Sequence, residues 1–169
     1  MKMVSYLSIC LVALGLFSSC KKENGASAED VAKANAFKEF ILAKKFRVTD
    51  YYSDKPIDYV ETDTAVKSET ELFQYVSSWI KDDENVFNVS SGKVAITQGA
   101  IKIDGNTEAV FTKDFSIGAD KDGVYFNFLN YQYNPLKYRL VEFSGDHFLV
   151  YVNWHSGGKV FSKFTVIAP

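Results

Sequence analysis

Cysteine is almost missing from this 169-residue chain, since only Cys10 and Cys20 occur and both lie in the first 20 residues. No disulfide can cross-link the chain beyond residue 20, so stability there must come from burial. Histidine is as scarce: His147 and His155 are the two in the chain. A hydrolase needs a nucleophile, a base and an orienting group, and these histidines flank one predicted strand and so lie at opposite ends of it. No catalytic residue is assigned, and a non-enzymatic protein is expected. The formal charge is only −2 and no basic cluster stands out, which excludes a nucleic-acid partner. Three Pro and ten Gly are too few for a fibrous or disordered chain, and 47% apolar with 24% charged residues is ordinary for one globular domain. The mainly apolar run 3–17 is short and wrongly flanked for a stable membrane span.

What the chain does have is aromatic bulk, 14 Phe, 10 Tyr and 2 Trp. Most of it falls in segments that alternate apolar and polar residues, where rings pack well across strands. Four such segments, 124–131, 136–143, 148–154 and 160–167, succeed one another with short turns between them. A period of two repeated in this way predicts an antiparallel meander with one face buried. Upstream, the pattern predicts a first strand from Lys44 through Tyr52 and a polar excursion over 53–66. Further strands are expected at 85–90, at 93–103 with a bulge at Gly99, and at 108–117. Ser27 can cap a helix starting at Ala28, with Phe37, Phe40 and Ile41 on one side as a plug for the sheet. Ser68 and Glu71 form a capping-box pair ahead of Leu72, Phe73, Val76, Trp79 and Ile80 at helical spacing, which predicts a second helix. Eight antiparallel strands in up-and-down order can close on themselves and remove both edges. The expected fold is all-β, an eight-stranded up-and-down antiparallel β-barrel with one or two short helices.

The N-terminus points to export. Lys2, the apolar run and Ser18-Ser19 before Cys20 have the layout of a signal peptide. The small residues before Cys20 resemble the lipobox of bacterial lipoproteins. That resemblance makes Cys20 the lipidated first residue of the mature protein. The expected division is 1–19 signal peptide, 20–27 lipidated cysteine and polar tether, and 28–169 barrel domain with its N-terminal helix. Lys21-Lys22-Glu23 resembles the short charged signal that sends Bacteroidota lipoproteins to the cell surface. This implies an outer-membrane lipoprotein on the surface or periplasmic face, bound to the membrane through its lipid anchor.

The stretch 79–99, WIKDDENVFNVSSGKVAITQG, resembles the signature of the lipocalin-like lipoprotein domains common in Bacteroidota. These carry a Lys-Asp-Asp run, an aromatic strand with Phe, a Gly-centred turn and a further strand. Leu42-Ala43-Lys44-Lys45-Phe46 resembles their opening strand, with Ala43 and Phe46 where Gly and Trp are usual, and 140–168 resembles their closing pair. The resemblance implies a calycin-type barrel that binds a small apolar or amphipathic molecule without a cofactor. A monomer is expected.

Charge decides which faces look inward. Lys163 belongs outside, leaving Val160, Ser162, Phe164 and Val166 inside, and Lys137 and Arg139 outside leave Tyr138, Leu140 and Glu142 inside. With Phe126, Phe128, Val150, Val152 and Trp154 chosen for the other two meander strands, the candidate ligand-binding residues are Phe126, Phe128, Tyr138, Leu140, Glu142, Val152, Trp154 and Phe164. Glu142 is the odd member, because a carboxylate in a barrel must be paired, hydrogen-bonded or near a wet mouth. Asp82, Asp83 and Glu84 read as solvated charge at a helix end rather than a Ca²⁺ site, and 120–123 reads as a hairpin turn, so no metal is assigned. The alternative is a filled barrel acting as an interaction module, in which outer aromatics such as Tyr125, Tyr131, Tyr133 and Tyr151 engage an envelope protein or a glycan.

Overall fold

The computed structural model describes residues 25–61, 64–102, 108–129 and 135–167. The expected signal peptide, Cys20, most of the expected tether, Ile103, Tyr131 and Tyr133 lie outside the described residues.

Helix α1 (Ala28–Ile41) begins where the cap is predicted, with Ser27 Oγ accepting the Asp30 N–H at 3.0 Å and Glu29 and Asp30 in the first turn. Nine strands come after it among the described residues: β1 (Lys45–Glu61), β2 (Thr64–Glu71), β3 (Glu84–Asn88), β4 (Lys93–Thr97), β5 (Val110–Asp120), β6 (Gly123–Leu129), β7 (Pro135–Ser144), β8 (His147–Asn153) and β9 (Lys159–Ile167). Each pairs antiparallel with its neighbour from β3 to β9, and β1 pairs with both β3 and β9. Eight strands therefore close a barrel in up-and-down order, as expected. The ninth, β2, is hydrogen-bonded to the far half of β1 outside the ring.

That ninth strand corrects the sequence reading. The excursion expected over 53–66 is the second half of β1 and its hairpin return, and the helix expected over 68–80 breaks into the end of β2, a 3₁₀ turn (Phe73–Tyr75) and the five-residue helix α2 (Ser78–Asp82). Ser68 caps nothing: it lies within β2 at φ +57°, and its N–H donates to Asp58 Oδ1. The Leu72 N–H donates to the Tyr51 carbonyl, and Leu72 is fully buried with Ile57 and Val160. Pairing with β1 overrides a helical spacing that was locally sound.

The parity change near Gly99 is an exit from the sheet and not a bulge. Beyond Thr97 the chain is held by the end of α2, where Asp83 Oδ1 accepts the Gly99 N–H and Asp82 Oδ2 accepts the Ile101 N–H. A Cβ on Gly99 would run into the Asp82 carboxyl, so only glycine permits this approach. Asp83, expected in solvent, is fully buried.

Helix α1 crosses the barrel end formed by the start of β1, the end of β9 and the β5–β6 and β7–β8 turns, and Lys33 Nζ donates to the Val141 carbonyl there. Its Ala34, Phe37 and Ile41 are buried. The Phe37 ring meets Phe148 at 5.2 Å and Phe143 at 5.4 Å, while Phe148 stacks on Phe164 at 4.6 Å and meets Phe46 at 5.0 Å. Phe87, Phe115 and Phe126 complete an aromatic floor in which edge-to-face contacts predominate. Phe46 is fully buried in this floor, at the position where the family resemblance leads one to expect Trp. Just after α1, Ala43 sits at φ +55°, a left-handed conformation that a Cβ disfavours. Ala43→Gly is expected to raise stability by about 0.5 to 1 kcal/mol, read from the urea midpoint.

Candidate functional site

The candidate residues from the sequence divide between the two ends of the barrel. Phe126, Leu140 and Phe164 are buried in the aromatic floor under α1. Phe128 and Tyr138 are partly buried against the floor, with Phe128 stacked 5.9 Å from Phe126 and Tyr138 6.3 Å from it. Val152 and Trp154 belong to a second cluster, with Ile57, Leu72 and Val160, at the end away from α1. Trp154 Nε1 donates to the Asp58 carbonyl, tying β8 to the β1 extension.

Glu142 is not inside. Leu140 pairs with Val150 but Glu142 pairs with Leu149, so Val141 is an extra residue on β7. This bulge reverses the alternation, turning Phe143 inward against Phe37 and Glu142 out to 60% side-chain exposure, with its Oε1 3.5 Å from His147 Nε2. His147 is also 3.0 Å from Asp146 Oδ1, and the hydrogen bond from His147 holds the Asp146 carboxyl below its ordinary pKa. His155 packs on Trp154 at 4.9 Å, at the other end of β8 from His147.

Several inward groups were missed by the sequence reading. On β5 the inner face reads Phe111, Lys113, Phe115, Ile117 and Ala119, and Lys113 is only 4% exposed. Burial lowers its ammonium pKa to about 8. Asn85, two residues before Phe87, and Gln98, two after Ile96, are also buried, with Asn85 Nδ2 donating to the Phe46 carbonyl and Gln98 Nε2 to that of Glu108. Each shares the parity of its apolar neighbours, and that parity was the signal available in the sequence. Two residues that were expected inside join them, Tyr138, whose phenol burial pushes up to about 12, and Ser162, buried on β9, while Ser53, buried on β1, was not foreseen. The wall away from α1 is therefore studded with polar groups, whereas the floor is aromatic.

A shallow, open depression of about 190 Å³ lies on the outer side of β5, β6 and β7, where Asp114, Ser116, Asn127, Leu129 and Pro135 share the outward parity, with Phe115 and Phe128 also bordering it.

The outer face carries a row of residues in direct register across five strands: Tyr125, Arg139, Tyr151, Phe161 and Tyr52. Tyr52 and Phe161 stack at 4.9 Å across the β1–β9 seam, and Lys137 and Lys159 lie 4.5 Å over Tyr125 and Tyr151. These rings pack on one another and on cations, which ties the closing seam of the barrel together. At the β5–β6 turn, Asp120 accepts from Arg139 through both oxygens and from Lys137, and the hydrogen bond from Arg139 holds its carboxyl well below the usual carboxylate range. Among the described residues there is no group of three or more potential metal ligands, and no helix is long and apolar enough to cross a membrane.

No protein-family model matches the chain, and no curated protein does. Among solved structures, the chain is similar to bovine odorant binding protein in its complex with undecanal. The identity is 15% and the TM-score 0.35, over 73% of this chain and 70% of that one. This likeness is too slight to carry a function across, and the barrel is established by the strand pairing of the chain itself.

Proposed function

We propose that the protein is a cell-envelope lipoprotein, anchored through Cys20, that binds a small, partly apolar molecule in the half of its barrel away from α1. The observation that carries this reading is the contrast between the two halves. Rings fill the floor, whereas the inner face of the other half combines the partly buried Phe128 and Tyr138 with the buried polar groups Lys113, Gln98 and Ser162. Ligand sites have this composition, apolar walls with a few polar groups that set orientation. Affinity would come from apolar burial at about 25 cal/mol per Å², less the cost of association.

Native mass spectrometry of the chain purified from its own cells tests the binding role. The expected result is a defined added mass that survives in Glu142→Gln, whose side chain is outside, and disappears in Trp154→Ala. A bare mass under gentle conditions, repeated after exposure to lipid and sugar extracts, would overturn the carrier reading in favour of the filled interaction module. The anchor has its own test, because labelled fatty acid should be incorporated into the chain and lost in Cys20→Ser.

A further inference from the structure

We infer that the end of the barrel crossed by α1 rests on the lipid surface that holds Cys20, so that the half with the proposed site faces away from the membrane. This rests on the lipid anchor proposed above and names the surface of the fold that meets the lipid.

The length of the tether decides which end is held. Ala26 is only 4% exposed and belongs to the aromatic floor cluster, and Ser27 caps α1, so the chain is fixed to the barrel from Ala26 onward. A Cβ on Gly25 would lie 3.7 Å from Lys121 Cβ, which places the entry of the chain beside the β5–β6 turn at the same end. Six peptide units join Cys20 to Ala26, and an extended chain covers at most about 3.6 Å per residue, so Cys20 lies within about 22 Å of the floor. The 11 residues of β5 run from this end to the other, about 35 Å of strand. Tilted by about 40°, a strand of that length still covers more than about 25 Å of the barrel axis, so the anchor cannot reach the far end.

The surface at the held end suits a headgroup layer. Three of the five exposed large apolar side chains among the described residues lie there: Val31 on α1, Leu42 just after it, and Val141 at the β7 bulge, whose carbonyl accepts from Lys33. The charges on and beside α1 cancel, with Lys33, Lys38 and Lys44 against Glu29, Asp30 and Glu39, so attraction to anionic lipid does not set the pose. Three apolar side chains are too few to hold a protein on a membrane alone, but a lipid chain that keeps them at high local concentration makes the contact intramolecular.

The test is quenching of a fluorophore by the lipid. The full chain is purified with its anchor from membranes, returned to phosphatidylcholine vesicles that carry a nitroxide at the headgroup, and labelled at one introduced thiol. Asn35→Cys puts the label on the exposed side of α1, and Ser156→Cys puts it in the exposed turn beyond Trp154, at the other end. Emission is expected to be lost at Asn35 and kept at Ser156. A spacer of about 20 Gly and Ser residues inserted after Lys22, with a mean span of about 25 Å, should restore emission at Asn35. Equal loss at the two sites, greater loss at Ser156, or loss at Asn35 that the spacer leaves unchanged would overturn the orientation and leave the anchor in place. A chain that does not sediment with the vesicles would overturn the anchor and the orientation together.

Discussion

Phe37→Ala is expected to lower the unfolding free energy by about 3 to 5 kcal/mol, the range for deleting a fully buried phenylalanine. The ring is fully buried, and it touches Phe126, Phe143 and Phe148 as well as Phe40 on its own helix. Those neighbours come from β6, β7 and β8, whose spacing the strand ladder fixes, so they cannot collapse into the space left behind. A domain typically has only about 5 to 15 kcal/mol in total, so the loss is a large fraction of its stability. The effect should also be local, because α1 is joined to the barrel chiefly through Phe37, Ala34 and Ile41. Urea denaturation reads the global loss, and amide exchange in α1 should rise before exchange in β5 to β8. Val31→Ala, on the exposed side of the same helix, should change stability by no more than about 0.5 kcal/mol. Equal effects from the two variants would mean that α1 is not the plug described here.

Asp120→Ala is the second large effect, expected to cost about 2 to 4 kcal/mol. The carboxylate accepts from both terminal nitrogens of Arg139 and from Lys137, and the Arg139 side chain is only 15% exposed. Removing the acid leaves that guanidinium half-desolvated and without its bidentate partner, which is the costly way to break such a pair. The hydrogen bond from Arg139 is the largest cause of the lowered Asp120 pKa, with Lys137 and the Asp122 N–H adding to it. The folded pKa is thus below that of an unfolded aspartate, about 3.9. Below that pH the unfolded chain binds the extra proton and the native one does not. The stability from this cluster is therefore complete above about pH 4 and is lost as pH falls toward the folded value. Denaturant midpoints measured between neutral pH and pH 3 should fall less steeply in Asp120→Asn than in the original chain. Parallel curves would mean that this cluster contributes nothing to the acid sensitivity of the fold.

The closed barrel was legible because strict alternation needs nothing beyond the local sequence. The residues 123–167 alternate cleanly, and the eight ring strands lie close to where that pattern puts them. The cap at Ser27 was legible for the same reason, since it is made within one turn. The second helix misled because Leu72, Val76 and Ile80 fall at helical spacing while their partners are distant in sequence. Leu72 answers to Tyr51 and Val160 rather than to its own turn. Of the candidate site, Glu142 was misplaced by a single bulged residue, Val141, which alternation cannot register. Lys113 was missed because no inward face was assigned to the strand 108–117, and the rule that charge marks the outer face would have misplaced it. That rule is sound for Lys137, 48% exposed, and fails at Lys113, a lysine that the barrel buries.

The most direct test of the central claim is to map by NMR where 1-octanol and octanoate, each in turn, shift the side-chain resonances of the chain. Shifts are expected at Phe128, Tyr138, Val152 and Trp154, while Phe37, Phe46 and Phe148 in the floor stay where they are. Shifts confined to the outer row, Tyr52, Tyr125, Tyr151 and Phe161, would contradict it and place recognition on the outside of a solid barrel.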